Sequence, residues 1–429
     1  KQLAVRCSDN QGLVEHATKN IRVLNDKRQQ MLLRSTKSNS KKTKTKRDTV
    51  NTVSTYIGSD LYEQIVSVLR SELPKHAWVR YLGYRMIEEI SLMIDGEKID
   101  SYSDDLMLLL HKLNGTIGHQ RGDNIMLGHT EEMYTVNSEP RPGVRLYIKL
   151  FFFFCQFTGN SLSLLNTLYS DIKIRIKLRD IDQLLYIEPG GQLVKPVKIK
   201  CQLLGNYIYL SDEERKTNAT TKMESLIERF TYGGTLTRSW TDLRNNVTTD
   251  HGIANNVLRL RYYFNDPCKY LIWKIYVDYP VTDPKDKIYW DLADYRIRGS
   301  DGSFDLRSKI IEIVNSTMIE LNGKSREKWK DSTYFRTVQP INKFLKTLDS
   351  GEAFYSFCLF PGLLQPSGAT NFTEIDNLTF YMEINQVIAD LMKTAGIKLR
   401  IMMWECSYNL FVAMSGFGAL RFYDSFTFN

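Results

Sequence analysis

The histidines and serines of this chain do not occur at the spacings that catalysis or metal binding requires. His111, His119 and His129 share one glycine-rich polar segment, but they form no H-x-H or H-x-x-x-H pair. A zinc site needs three or four converging ligands, and no cysteine is near these histidines in the sequence. We interpret the segment as an exposed loop. The sequence also lacks the G-x-S-x-G and G-x-x-x-x-G-K-[ST] motifs, so we expect no catalytic centre, cofactor or metal ion.

Two pairs of adjacent carboxylates are the remaining candidates for acid–base chemistry. Glu88–Glu89 and Asp104–Asp105 each offer a general acid beside a general base. Neighbouring carboxylates in a sequence are usually solvated, and no pattern around either pair marks a cleft. We therefore interpret both pairs as surface groups.

The positive charge of the chain is concentrated in one arm. Residues 34–47 contain seven basic side chains and no acidic one, so removing them from the net charge of +8 leaves +1 for the rest. Such an arm can contact the phosphates of nucleic acid or of anionic lipid, or serve as a solvated assembly tail. It has no aromatic residue to stack on bases, so we do not expect nucleic-acid contact. The candidate anion contacts are Lys41, Lys42, Lys44, Lys46 and Arg47.

The composition is that of a globular protein with reduced thiols. The chain is 42% hydrophobic, 12% aromatic and 25% charged, which permits a sizeable core. Its six cysteines are far apart and include no C-x-x-C pair. This usage favours a reducing compartment over a disulfide framework.

The elements predicted from periodicity are mostly strands. Residues 172–179, "IKIRIKLR", alternate apolar and basic side chains, as expected for a strand with one apolar face. Helical spacing occurs at 16–34, 59–73, 103–113 and 305–321. Many strands separated by Gly, Pro and Asn turns favour antiparallel sandwiches or barrels. The further predicted strands cover 89–100, 145–157, 197–210, 256–264, 269–280, 353–360, 377–384, 398–406 and 409–423.

The sequence contains a weak sign of duplication. Residues 168–178 and 375–384 both place a polar turn before an alternating strand, about half a chain apart. Two similar β-sandwiches fit the length, with a boundary in the charged stretch 211–225. We predict an N-terminal arm over 1–77, a first domain over 78–220 and a second over 221–429.

One segment resembles a known family signature. "LFPGLLQPSGATNFTEIDNLTF" (359–380) is similar to the signature of the major capsid proteins of nucleocytoplasmic large DNA viruses. The core of this signature is Gln365, Pro366, Ser367 and Gly368. Further blocks resemble the family in the same order, at 78–100, 145–178, 206–215, 256–276, 334–344 and 409–423. The polar insertion around 111–129 resembles the asfarvirus-like branch.

The resemblance implies an all-β fold of two tandem eight-stranded antiparallel jelly rolls with short helical inserts. It also implies a structural protein, not an enzyme, that forms homotrimers, which are pseudo-hexagonal capsomers of an icosahedral shell. Its expected partners are neighbouring capsomers, minor capsid proteins and the internal viral membrane, with no small-molecule substrate. Its expected location is the virion capsid, assembled in the host cytoplasm. Pro366 and Gly368 suit a fixed turn, so we interpret the signature as structural and Ser367 as no nucleophile.

Two other functions stay open at this point. An assembly scaffold or minor capsid paralogue would have the same fold and would differ in its presence in mature particles. A carbohydrate-binding or carbohydrate-active tandem jelly roll would need a cleft with converging carboxylates or aromatic rings.

The run "LFFFFCQF" (150–157) is too short to cross a bilayer, which takes about 20 apolar residues. As a strand it is apolar on both faces. Such a strand needs cover on both sides, and we expect the second cover to come from the adjoining jelly roll or from another subunit.

Overall fold

The computed structural model describes residues 75–115, 117–139, 141, 143–187, 199–250, 252–278 and 312–422. The basic arm with Lys41–Arg47 and the predicted helices over 16–34 and 59–73 lie outside these residues, so those expectations remain predictions.

Antiparallel strands dominate the described residues. The strands are β1 (His76–Trp78), β2 (Ile87–Ile94), β3 (Glu97–Ser103), β4 (Ile172–Leu178), β5 (Leu185–Ile187), β6 (Met223–Arg238), β7 (Val247–Thr249), β8 (Gly252–Ala254), β9 (Val257–Tyr262), β10 (Pro267–Asp278), β11 (Val314–Leu321), β12 (Lys324–Asp331), β13 (Glu352–Ser356), β14 (Thr370–Asn371), β15 (Leu378–Ile384), β16 (Lys398–Met414) and β17 (Phe417–Leu420).

The helices are short inserts between these strands. They are α1 (Leu82–Arg85), α2 (Asp104–Asn114), α3 (Gln120–Met126), α4 (Glu131–Tyr134), α5 (Phe153–Gln156), α6 (Asp212–Thr220), α7 (Gln339–Phe344) and α8 (Gln386–Thr394). The predicted helix over 103–113 is confirmed by α2, whose first turn is capped by the Ser103 hydroxyl accepting from the Leu106 N–H. Within the described ranges, no helix combines the length and the hydropathy of a membrane-crossing segment.

The chain divides into two compact units. The first comprises residues 1–78, 130–146 and 185–204, and its strands β1 and β5 pair antiparallel with Trp78 opposite Leu185. The second comprises residues 79–129, 147–184 and 205–429, and it contains all the features described below. The domain boundaries predicted near residues 77 and 220 remain a prediction.

The C-terminal half of the second unit is a sandwich of two four-stranded sheets. One sheet has the order β6-β16-β10-β13, with β14 and β17 added at its margins, and the other has the order β9-β15-β11-β12. Their inner faces meet in one large hydrophobic core, where the rings of Trp273 and Phe380 lie 5.3 Å apart. Eight antiparallel strands in two facing sheets form a jelly roll.

A hairpin and a third strand recur in the two halves of the chain. Strands β3-β2-β4 form one sheet, and β12-β11-β15 repeat this order. The backbone N–H of Asp95 donates to Asp171 O (3.0 Å), and the Asp171 N–H donates back to Asp95 Oδ1 (2.7 Å). In the second half, Asn322 and Asn377 make the same two bonds, at 2.9 and 3.0 Å. The predicted duplication is therefore confirmed.

The hairpin turns show why these positions need particular residues. Asp95 and Gly96 have φ values of 53° and 89°, and Asn322 and Gly323 have 48° and 76°. Two consecutive residues with positive φ make the type I′ turn that suits a tight hairpin, and Asp-Gly and Asn-Gly adopt it readily. In both halves a helical segment follows the hairpin, α2 in one and α7 in the other. We call residues 87–178 the first repeat and residues 314–384 the second repeat.

Three predictions of secondary structure are wrong. The helix predicted over 305–321 is a strand in its described part, because β11 pairs with both β12 and β15 and places alternate side chains in the core. The strand predicted over 145–157 is irregular up to Phe152 and then forms α5. The strand predicted over 197–210 contains no strand in its described part, residues 199–210.

The phenylalanine run is nevertheless covered on two sides, as predicted. Phe151, Phe152 and Phe153 are buried. Phe152 packs on Tyr102 of β3, whereas Phe153 packs on Phe411 of β16, with ring centroids 5.2 and 5.4 Å apart respectively. The helical turn at Phe153 lets successive rings point in different directions, so one short segment joins the first repeat to β16.

Candidate functional site

A largely buried cluster of charged side chains connects the first repeat to strands of the C-terminal half, with Asp349, whose side chain is 66% exposed, at its edge. It contains four cationic groups and four carboxylates: Arg85, Asp104, Asp105, Lys112, Arg179, Lys274, Asp349 and Glu352. We call this set the charge cluster. One side comprises Arg85, Arg179 just after β4, and Asp104, Asp105 and Lys112 of α2. The other side comprises Lys274 of β10, Glu352 of β13 and Asp349 just before β13.

On the side of the first repeat, an arginine binds both aspartates. Arg85 Nη1 lies 2.8 Å from Asp104 Oδ2 and 2.7 Å from Asp105 Oδ1. Arg179 Nη2 lies 2.8 Å from the same oxygen of Asp104. The Arg85 side chain is only 2% exposed, so these charges are held almost without water.

Two lysines, Lys274 of β10 and Lys112 of α2, pair with carboxylates across the contact. Lys274 Nζ lies 3.0 Å from Asp105 Oδ1 and 3.7 Å from Glu352 Oε1, and the Tyr276 hydroxyl also donates to Asp105. Lys112 Nζ, at the end of α2, lies 2.7 Å from Glu352 Oε1 and 2.6 Å from Asp349 Oδ2. Thus α2 is bound at both of its ends to strands of the C-terminal half.

The electrostatics of the cluster favour its charged form. Burial alone would raise the pKa of Asp105, but Lys274 and Arg85 hold it well below its usual range. Burial and the neighbouring Asp105 carboxylate raise the pKa of Asp104, so Asp104 takes up a proton first as the pH falls. Burial opposes the charge on Lys112, yet Glu352 and Asp349 raise its pKa above the ordinary value. The cluster can hold the two halves in one orientation, since Asp105, Lys112, Lys274 and Glu352 each pair with a charge across the contact.

The sequence interpretation of Asp104–Asp105 as surface groups is wrong. Both are buried, because the first turn of α2, to which they belong, lies against Arg85 and β10. Glu88 and Glu89 are half-buried and pair with Lys177 and Lys98 at 2.8 and 3.1 Å. A signal for the cluster was present in β10, where lysines at 269 and 274 interrupt an otherwise apolar strand. A lysine in such a strand requires a buried partner.

A further buried carboxylate, that of Asp100, lies between β3 and β6. Asp100 Oδ1 accepts hydrogen bonds from the N–H groups of Ser101 (2.9 Å) and Phe230 (3.2 Å), and Oδ2 accepts from the Tyr102 hydroxyl. Burial raises the pKa of Asp100 to about 6, although these donors and Arg229 act against the rise. The ionised form is therefore costly at neutral pH.

For Asp100→Asn we expect a pH-dependent gain in stability over the parent protein. The pKa of Asp100 rises from 3.8 to about 6 on folding. Its contribution to stability is thus complete below about pH 4 and is lost as the pH rises through about 6. At about 1.4 kcal/mol per pKa unit the whole effect is about 3 kcal/mol, of which about 2.4 kcal/mol should be seen as a shift in the unfolding free-energy difference between variant and parent from pH 4 to pH 7. Urea unfolding of both proteins at pH 4, 5.5 and 7 measures it.

The exposed Asp95 provides the control for this experiment. Hydrogen bonds from the Ser170 hydroxyl and the Asp171 N–H lower its pKa. Its contribution is therefore present at neutral pH and is lost as the pH falls, so Asp95→Asn should show a pH trend of opposite sign. A difference for Asp100→Asn that is independent of pH would contradict the proposed ionisation.

The loop between the phenylalanine run and β4, which we call the first loop (residues 158–170), is bound to the C-terminal half. Asn160 Nδ2 donates to Leu226 O and Asn166 Nδ2 donates to Thr221 O, both at 2.9 Å. The Tyr169 N–H donates to Gly416 O at 2.8 Å. Gly416 has a φ of +89°, and a Cβ there would lie 2.2 Å from the Tyr169 ring. Glycine is therefore required at this turn by both backbone and packing.

The corresponding loop of the second repeat, which we call the second loop (residues 359–369), carries the family-like signature. The Ser367 carbonyl accepts from the Leu359 N–H (3.3 Å), and its hydroxyl accepts from the Phe360 N–H (2.9 Å). Gly368 has a φ of +130° and lies against the backbone of Cys358. Lys343 Nζ donates to the carbonyls of Cys358 and Leu359, each at 3.0 Å. The loop is thus rigid, yet it exposes Leu359, Phe360 and Leu363 by 65, 59 and 55%.

The three histidines are not brought together as ligands. His129 stacks on Tyr81 with ring centroids 4.0 Å apart, and His111 meets the same ring edge-on at 6.2 Å. Burial lowers the pKa of both, that of His129 to about 4. His119 is exposed. Over the described ranges, no three His, Cys, Asp or Glu side chains are grouped to hold a metal ion.

The comparisons with known proteins agree with the duplicated sandwich architecture. A family model described as "Large eukaryotic DNA virus major capsid protein" matches residues 214–419, and one described as "Major capsid protein N-terminus" matches residues 38–211. The major capsid protein of Phaeocystis pouchetii virus is 23% identical, over 80% of this chain and 82% of the relative. That of Paramecium bursaria Chlorella virus 1 is 26% identical, over 80% of each.

A solved structure shows the same fold. A chain of the PBCV-1 virus capsid, a quasi-atomic model, superposes with a TM-score of 0.60 at 22% identity, over 82% of this chain and 87% of that one. The fold is the double jelly roll, as predicted. With two matching models that together extend from residue 38 to residue 419, and relatives aligned over four fifths of its length, this chain belongs to the major capsid proteins of large eukaryotic DNA viruses.

Proposed function

We propose that three copies of this chain associate into a pseudo-hexagonal capsomer, and that such capsomers form an icosahedral shell. The duplication carries this proposal, because a trimer of a chain with two similar repeats presents six similar bodies around its axis. Family relatives are structural capsid proteins rather than enzymes, and the role of this chain is likewise structural.

The charge cluster supports the proposal through rigidity. A shell subunit must present its contacts in one fixed arrangement. Arg85 and Lys274 hold Asp105 from opposite sides, and Lys112 binds Glu352 of β13. A relative shift of the two halves would leave buried charges without partners, at a cost of several kcal/mol. We infer that the cluster fixes the two halves as one body.

We further propose a structural role for the signature turn Gln365-Pro366-Ser367-Gly368, which shapes the second loop. In the same proposal, the first jelly roll spans 78–220, the second spans 221–429, and residues 1–77 form an arm. Neighbouring capsomers, minor capsid proteins and the internal viral membrane are the proposed partners, and the host cytoplasm is the proposed place of assembly.

The purified full-length chain should elute as a trimer of about three times its 49.9 kDa mass. Size-exclusion chromatography with light scattering measures the mass, and negative-stain imaging should show particles with a hexagonal outline. A monomer at every concentration tested would overturn the proposal. Absence of the protein from purified mature particles, with trimers intact, would instead indicate an assembly scaffold of the same fold.

A further inference from the structure

The two repeats carry equivalent loops, but they differ in what covers them. The first loop follows "FFFFCQF" (151–157) and leads to β4, and the second loop begins within "FYSFCLF" (354–360) and leads to β15. Phe, Phe, Cys and Phe occupy matching positions in these segments. The third strands that follow make the same bonds to their hairpins. The loops therefore occupy equivalent places in the two repeats.

The first loop and the phenylalanine run before it have their packing and hydrogen-bond partners within the chain. Phe153 packs on Phe411, Asn160 bonds to β6, and Tyr169 bonds to the turn after β16. The receiving surface is thus the end of β16, around Asn409–Ala413, with the adjacent part of β6.

The second loop is held from within its own half of the chain and points its apolar side chains outward. Lys269 Nζ donates to Leu363 O at 2.8 Å, and Lys343 fixes the other end. These bonds set the backbone but leave the side chains of Leu359, Phe360 and Leu363 mostly exposed. By the symmetry of the two halves, a receiving surface for them belongs to the first half of a chain.

The first half contains a segment at the corresponding place along the chain, although it does not form a strand as β16 does. Asn206–Leu210, "NYIYL", follows β4 in the chain as Asn409–Ala413, "NLFVA", follows β15. Ile208 then corresponds to Phe411. Tyr207, Ile208 and Tyr209 are exposed by 71, 58 and 93%.

We propose that the second loop of one copy packs its Leu359, Phe360 and Leu363 against Tyr207–Tyr209 of a second copy. This inference rests on the proposed capsomer and names the contact that closes it. The contact continues the arrangement found within the chain, where the first loop of one repeat packs on the last long strand of the other half. It joins unlike surfaces head to tail, and such contacts close into a ring when the rotation permits.

The apolar side chains supply the centre of this contact. Three large side chains on each partner fit the buried middle of an interface that has a polar rim. A standard interface covers about 800 Å² per partner. The polar surface around both segments supplies the part of this area that the apolar side chains do not cover. Side chains of this type at the centre of a contact are those whose loss weakens binding most.

Site-directed cross-linking tests the pairing of the two surfaces. The variant contains Leu363→Cys and Tyr209→Cys, in a full-length chain in which Cys7 and the exposed Cys155 and Cys201 are replaced by serine. A short bismaleimide should give covalent species of two and three chains on denaturing gels. The two variants that contain only one of the introduced cysteines should give no three-chain species, since each lacks one side of the head-to-tail contact. A trimer in solution that yields no covalent species from the double variant would overturn the inference.

Charge substitutions provide an independent readout. Leu363→Asp and Ile208→Asp should each convert the trimer to a monomer in light scattering, with unchanged circular dichroism. Ile125→Asp is the matched control, because Ile125 on α3 is similarly exposed, at 57%, and lies on neither surface. It should remain a trimer. Trimers retained by both Leu363→Asp and Ile208→Asp would overturn only this contact, whereas a monomeric parent chain would overturn the capsomer itself.

Discussion

Replacing Arg85 by methionine should lower the free energy of unfolding by about 3–5 kcal/mol. Methionine keeps most of the volume of the arginine stem but removes the charge that binds Asp104 and Asp105 at 2.8 and 2.7 Å. Both carboxylates are buried, so water cannot replace the guanidinium without opening the contact between the two halves. Urea unfolding followed by fluorescence and circular dichroism measures the loss, and a second transition would show that the halves unfold separately.

A surface ion pair provides the matched control for Arg85. Lys98 Nζ lies 3.1 Å from Glu89 Oε1, but these side chains are 49 and 43% exposed. Lys98→Met should therefore cost less than about 1 kcal/mol. Neutralising the aspartates as well, in Arg85→Met with Asp104→Asn and Asp105→Asn, should restore part of the stability, because the stranded charges cause the loss. Equal losses for Arg85→Met and Lys98→Met would contradict the role of the charge cluster.

Replacing Phe153 by alanine should cost about 3–5 kcal/mol, as expected for a large ring removed from a closed core. The Phe153 side chain is buried and its ring lies 5.4 Å from that of Phe411 on β16. Its loss leaves a cavity at the junction of the first repeat with the C-terminal sandwich. Chemical unfolding measures the change, and Phe153→Leu, which keeps most of the volume, should cost less than about 1.5 kcal/mol.

The partner of Phe153 can be checked with a double-mutant cycle. If the two rings stabilise each other, Phe153→Ala and Phe411→Ala together should cost at least 0.5 kcal/mol less than the sum of the single losses. Phe335→Ala is a suitable comparison, since Phe335 is equally buried but packs on Trp273 in the centre of the C-terminal core. The loss of unfolding free energy caused by Phe335→Ala should add to that caused by Phe153→Ala. Full additivity between Phe153 and Phe411 would exclude the proposed junction.

The local pattern of the sequence was enough to predict most of the C-terminal strands and the repeated strand at 168–178 and 375–384. Alternation of apolar side chains predicts β4, β9, β10, β15 and β16 because successive side chains of a strand point to opposite faces. The strand predicted over 89–100 is divided into β2 and β3 by the Asp-Gly turn at residues 95–96, since these residues accept positive φ at little cost. The family signature predicted the double jelly roll, which no single strand pattern could distinguish from other sandwiches.

Local pattern failed where distant segments decide the structure. Residues 314–321 have spacing that suits a helix, but two neighbouring strands supply backbone partners on both edges and make β11. The phenylalanine run was predicted as a strand because its composition favours one. A short helix forms there instead, so that Phe152 meets Tyr102 and Phe153 meets Phe411, more than 250 residues away in sequence.

Periodicity, glycine positions and the signature are local properties, so the fold class, the duplication and the turn at Pro366 and Gly368 could be predicted from them. The burial of Asp104 and Asp105 depends instead on tertiary packing. A carboxylate is exposed or buried according to what packs on it. Arg85 lies 19 residues from its partner Asp104 in the sequence, and Lys274 lies 169 residues from its partner Asp105. The same reason separates the two loops: both are apolar in sequence, but the first is bound to β6 and the end of β16, whereas the second exposes its side chains.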